Sequence, residues 1–117
     1  MEWYFDDLLQ RANMVREWRK HVREVVRAVS KILPDAKVYV FGSVVRGEAV
    51  GGSDVDILIV SKQAPASNVE RSALKLKIEE AAGFPFHHPF EIHLVDEEEA
   101  KWYFSRVKEL TPATAGS

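Results

Sequence analysis

The sequence predicts an α/β (α+β) protein: a small mixed β-sheet flanked by helices. Three observations carry this. One long stretch has helical apolar spacing and a second is framed by helix caps, three short stretches are rich in β-branched and aromatic residues, and only about a dozen residues separate the first two of those strands. A crossover helix with its loops barely fits in that gap, so the first two strands are expected to pair in a mixed or antiparallel sheet rather than a doubly wound parallel one. With 117 residues the chain is read as one domain, 1–117, large enough for a real core.

Trp3 to Arg11 reads as a short opening helix. From Asn13 to Leu33 the apolar residues Val15, Trp18, Val22, Val25, Val26, Val29 and Leu33 recur every three or four positions, which predicts an amphipathic helix ending at or before Leu33, ahead of Pro34. Arg16, Arg19, Lys20, Arg23, Arg27 and Lys31 share its polar face. A surface for nucleic acid or an acidic partner is one reading, but Glu17 and Glu24 interrupt the face and a solvated helix surface accounts for it first. Lys37 to Phe41 predicts a strand interior to the sheet, and Asp54 to Val60 a second. Ser67 with Glu70 predicts the start of a helix running to Gly83. Phe90 to Val95 predicts the third strand. Asp96 followed by Glu97, Glu98 and Glu99 fits an N-cap and dipole-complementing first turn of a last helix, reaching about Leu110, better than a metal site. The small, polar stretch 111–117 is expected to fray as a flexible tail.

Composition narrows the chemistry. Sixteen basic and 18 acidic residues give a net charge of −2, which gives no strong nucleic-acid signal. The chain has no cysteine, so disulfide scaffolds and thiol chemistry are excluded, and a cytoplasmic location fits. The longest apolar run, Ile57 to Val60, is far too short to span a membrane, and the first residues lack the pattern of a signal peptide.

The chemistry concentrates between Phe41 and Val60. A strand that stops at Gly42-Ser43 lets another group approach the backbone, and a helical turn over Val44 to Arg46, closed by Gly47, would present free N–H groups suited to phosphate. Asp54 and Asp56 fall on one face of the following strand, with Val55, Ile57 and Ile59 on the other. Leu58 and Val60 continue the acidic pair's face as core positions, and two carboxylates at a core margin are costly without a cation, so oxygen-loving Mg²⁺ or Mn²⁺ is favoured over a plain strand edge. Glu91 is a third acid on the Phe90–Val95 strand; it converges on the pair if the two strands are neighbours and faces solvent if its strand lies at an edge. His93 shares its face and reads as a supporting or solvent-facing group. Zinc on His87, His88 and His93 has little support, because no matching ligand helix is visible. Arg46 reads as an exposed, salt-bridged residue before a phosphate ligand. Trp3, Tyr4, Phe5, Trp102 and Tyr103 could be core or interface.

The pattern Gly42-Ser43-x3-Gly47-x5-Ser53-Asp54-x-Asp56, followed by an apolar strand and a later strand acid, resembles the nucleotidyltransferase superfamily of DNA polymerase β, and within it the minimal nucleotidyltransferases (MNT) that are often encoded with a HEPN-domain partner in toxin–antitoxin pairs. The resemblance implies that Gly42, Ser43 and Ser53 hold the nucleotide. It implies that Asp54, Asp56 and Glu91 are catalytic and bind Mg²⁺ or Mn²⁺, and that an NMP, with AMP from ATP first in line, moves to a hydroxyl. It further implies an acceptor supplied by a HEPN partner, for instance its tyrosine, or by a homodimer, because no acceptor-binding domain fits in the length. The third acid is Glu where many relatives carry Asp. A module that neutralises or scaffolds a partner by contact alone is the alternative.

Overall fold

In a computed structural model, residues 2–49 and 53–114 are described, with side chains from Phe5 onward. The elements run α1 (Glu2–Arg16), α2 (Trp18–Ile32), β1 (Lys37–Phe41), β2 (Val55–Val60), α3 (Asn68–Ala81), β3 (Phe90–Val95), α4 (Glu97–Arg106) and β4 (Thr111–Ala113). The four strands form one sheet in the order β3-β2-β1-β4. β1 is antiparallel to β2 and to β4, while β2 and β3 are parallel and joined through α3. The sheet is therefore mixed, as the short gap between the first two strands implied.

Alternation along the strands sorts the side chains into two layers. Val38, Val40, Val55, Ile57, Ile59, Phe90, Ile92 and Leu94 pack with the apolar faces of α1, α2 and α3. On the opposite face, Leu58, Val60 and Val95 pack with Ala100 of α4, and Tyr39, Phe41 and Tyr103 complete that smaller cluster. Asp56, Glu91 and His93 have the parity of this second face. At their end of the sheet, core packing gives way to polar side chains.

Caps and clamps fix the helices. Ser67 accepts from the Glu70 N–H, and Asp96 and Glu99 form a reciprocal capping box. Gly83, at φ 78°, ends α3: its N–H reaches the Glu80 carbonyl and the Phe84 N–H reaches that of Glu79. Arg71 of α3 makes paired bonds to the Glu99 carboxylate at 2.8 and 2.9 Å, tying α3 to α4. The pair holds Glu99 below its ordinary pKa and Arg71 above its own, the hydrogen bond between them being the largest cause in each case.

The first two helices, the last helix and the tail differ from expectation. The opening helix runs on to Arg16, and the chain breaks at Glu17 (φ −102°, ψ 32°), so the amphipathic helix begins at Trp18. No glycine or proline marks this break. The Glu17 N–H still bonds to the Asn13 carbonyl and the Lys20 N–H to that of Glu17, while no side chain caps the start of α2. The last helix stops at Arg106 instead of reaching Leu110, because Val107 is extended (φ −99°, ψ 116°). Finally, Thr111–Ala113 is not a frayed tail but an edge strand on β1, with Val38 opposite Ala113. An edge is where proline is tolerated in a sheet, and Pro112 sits there. Residues 115–117, expected to be flexible, lie outside the described residues, as do Val50, Gly51, Gly52 and the side chains of Trp3 and Tyr4. No helix among the described residues is long and apolar enough to cross a membrane.

Candidate active site

The site forms where β1 ends, β2 begins and β3 runs alongside. The register places Phe41 opposite Asp56 and Asp56 opposite Glu91. Two acids on adjacent strands thus stand side by side on the face covered by α4. His93, two residues beyond Glu91, lies beside Leu58 in the next row. Its Nε2 is 3.3 Å from Asp56 Oδ1 and 4.0 Å from Glu91 Oε1. One ligand atom from each of Asp56, Glu91 and His93 lies within 4.8 Å of the others.

Gly42 closes the site from the β1 side. Its φ is 96°, and a Cβ built on it would lie 2.8 Å from Asp56 Oδ2. Both the conformation and the space require glycine. Beyond it the chain makes consecutive turns: the Val45, Arg46 and Gly47 N–H groups bond back to the Gly42, Ser43 and Val44 carbonyls at 3.2–3.3 Å. The expected turn after Gly42-Ser43 is therefore present, and it starts against the Asp56 carboxylate. Arg46 pairs with Glu48 and Glu109, the salt-bridged role expected of it. Ser53 is half-buried immediately ahead of the acids.

Asp54 stands apart from the Asp56, Glu91 and His93 group. β2 begins only at Val55, so Asp54 is not bound to the strand's alternation. Its side chain, 58 % exposed, bonds to Arg11 Nη2 at 2.5 Å. Arg11 Nη1 also donates to the His88 carbonyl at 3.1 Å, so α1 is fastened across the start of β2 and the loop before β3. Glu91, 60 % exposed, points where solvent and ligands can reach it.

His93 is more integrated than the sequence suggested. Its Nδ1 lies 3.2 Å from the Tyr103 hydroxyl, and its ring packs 5.4 Å from Phe41 and 5.7 Å from Tyr103. Burial, then the charges of Glu99, Glu91 and Asp56, push the Tyr103 hydroxyl above its ordinary pKa. Tyr103 therefore remains a neutral O–H through the physiological range. The period-2 spacing from Glu91 to His93 was the available signal for the histidine; nothing local announced Arg11 or Tyr103, which arrive from α1 and α4. His88 is structural: its Nδ1 accepts the Phe90 N–H and its Nε2 faces Glu79 at 3.5 Å.

Two carboxylates and an imidazole around one point suit a divalent cation, and a glycine turn pressed against them suits an anion brought with it.

Comparison with known proteins agrees with this geometry. The family model of the nucleotidyltransferase domain matches residues 22–110. The fold is similar to the crystal structure of a candidate nucleotidyltransferase from Sulfolobus solfataricus, with TM-score 0.56 and 24% identity over 92% of this chain and 83% of that one. It is also similar to a second candidate nucleotidyltransferase structure, with TM-score 0.55 and 30% identity over 79% of this chain and 96% of the other. No curated protein matches. By its matched span, its fold and its Gly42-to-Asp56 motif, the chain belongs to the nucleotidyltransferase domain family, within the DNA polymerase β-like superfamily.

Proposed function

We propose that the chain transfers a nucleoside monophosphate from an NTP, ATP first among them, to a hydroxyl acceptor with a divalent cation. The observation that carries this reading is the contact between the two halves of the motif: the Gly42 Cα faces Asp56 Oδ2 with no room for a side chain. A triphosphate on the Gly42–Gly47 turn would have its reacting phosphorus delivered to the carboxylates.

Asp56 and Glu91, with Asp54 once Arg11 yields it, are the oxygen donors for Mg²⁺ or Mn²⁺. A cation bound there supplies charge stabilisation for an in-line displacement at phosphorus. Gly42 and Ser43 present backbone N–H groups and a hydroxyl to the phosphates, and Ser53 adds a second hydroxyl at the start of the acidic segment. Glu91 faces the open side, where an acceptor hydroxyl would enter and lose its proton. The bond that forms joins the acceptor oxygen to the α-phosphorus; the bond that breaks releases pyrophosphate. Positioning and charge, not a covalent enzyme intermediate, do the chemistry.

The acceptor hydroxyl has two candidate sources. A tyrosine hydroxyl of a HEPN-domain partner, in an antitoxin role, fits a chain whose described residues form one sheet with its helices. A second copy of the chain is the other source. Labelled ATP incubated with the protein and divalent cation, with and without a HEPN-domain protein, tests the proposal. Label is expected to move to the acceptor, and Asp54→Asn with Asp56→Asn is expected to abolish it. Equal nucleotide binding by wild type and double variant, with no transfer by either, would favour a binding module instead.

A further inference from the structure

We infer that the cation of the proposed reaction is held by a mixed set, Asp56, Glu91 and His93, and that this set selects Mn²⁺ over Mg²⁺. The inference rests on the reading of the site given above and goes beyond it, since the motif itself supplies only carboxylates. The geometry is that of a ligand, not a bystander. His93 Nε2 lies within reach of both acids, 3.3 Å from Asp56 Oδ1 and 4.0 Å from Glu91 Oε1. Ligands that each sit about 2.1 Å from one ion lie about 3–4 Å apart. Asp54, paired with Arg11, joins this set only once Arg11 yields it.

The far side of the ring is also arranged. A metal-binding histidine needs its other nitrogen held, so that the ligating nitrogen carries the lone pair and the ring cannot turn. Tyr103 Oη lies 3.2 Å from Nδ1 and can accept a hydrogen bond from an Nδ1–H. Phe41 packs against the same ring. Without a cation the same contacts work in reverse: Tyr103 donates to Nδ1 and the Nε2–H donates to Asp56. The ring thus has two complete hydrogen-bonding states, one for each condition of the site. Imidazole nitrogen is a ligand for transition metals, while Mg²⁺ prefers oxygen and retains its water. A nitrogen in the set therefore raises affinity for Mn²⁺ more than for Mg²⁺.

The test is pulsed electron paramagnetic resonance of Mn²⁺ added to the intact chain, with binding measured in parallel. The expected result is one bound Mn²⁺ with an imidazole ¹⁴N coupling. His93→Gln is expected to remove the coupling and weaken Mn²⁺ at least tenfold, while Mg²⁺ competition changes less than threefold. Tyr103→Phe is expected to keep the coupling and weaken Mn²⁺ by about tenfold, the size of effect seen when such outer partners are removed. Should His93→Gln not fold, the wild type decides alone: the imidazole ¹⁴N coupling must be present, and substoichiometric Mn²⁺ must broaden the His93 ring resonances before those of any other histidine. Bound Mn²⁺ without nitrogen coupling, a coupling that survives in folded His93→Gln, or another histidine broadening first overturns the inference. If NMP transfer proceeds in those cases, the proposed function stands without it. If neither cation binds and no transfer occurs, both fall.

Discussion

Gly42 is the residue at which conformation and chemistry meet. Its φ of 96° and the 2.8 Å approach to Asp56 Oδ2 leave no room for a methyl group. Gly42→Ala is expected to cost about 1–3 kcal/mol in backbone strain and to displace the carboxylate, lowering nucleotidyl transfer at least a hundredfold. Chemical denaturation and transfer rates measure the two effects separately. The sequence showed a glycine after a strand and an aspartate fourteen residues later; their contact needed the β1–β2 register. A second residue, Asp35, acts on stability alone. Ser61 Oγ and the Lys62 N–H donate to it at 2.7 Å each, and these bonds, the serine's first, hold its pKa below the ordinary value. A carboxyl with a depressed native pKa adds stability above its unfolded pKa, near 4, and loses it as pH falls through the native value. Asp35→Ala is therefore expected to be less stable than wild type at pH 7, with the gap closing below about pH 4. Urea titrations across that range would show a constant gap if the bonds contributed nothing.

Elements were legible where apolar spacing or a cap announces them. α3 and α4 begin at Ser67 and Asp96 as their capping patterns required, and all three expected strands formed. What the sequence hid were features made by distant partners. The break at Glu17 carries no breaker residue, and β4 is a three-residue edge strand whose partner, β1, lies some seventy residues away. Removal of residues 111–117 is expected to leave β1 as an open edge, lowering stability and promoting self-association, which sedimentation velocity would detect. Arg11 is likewise a link between elements. Its bonds to Asp54 and the His88 carbonyl fasten α1 to the site, but the pair is exposed, so its worth is about 0–1 kcal/mol. Arg11→Met is expected to leave global stability nearly unchanged and to raise amide exchange in α1 no more than about fivefold, with β2 unaffected. Equal exchange changes in β2 would show the contact to be part of the core.

For the whole molecule, the sheet order β3-β2-β1-β4 explains why residues scattered from Gly42 to Tyr103 become one site. β2 is central to it, with the glycine turn arriving from one neighbour and Glu91 and His93 from the other. Alternation along β2 and β3 was readable from the sequence, and so was the parity of Asp56, Glu91 and His93. Which strands are adjacent, and that α4 lays Tyr103 over His93, followed only from the topology. The central claim is that this arrangement directs attack to the α-phosphorus of a nucleoside triphosphate. The direct measurement is a paired incubation with ATP labelled at the α- or the γ-phosphate, in the presence of Mn²⁺ or Mg²⁺ and the candidate acceptor. Transfer of the α-label alone, with one pyrophosphate released per label, is the predicted result. Transfer of the γ-label, or release of inorganic phosphate in place of pyrophosphate, would contradict it.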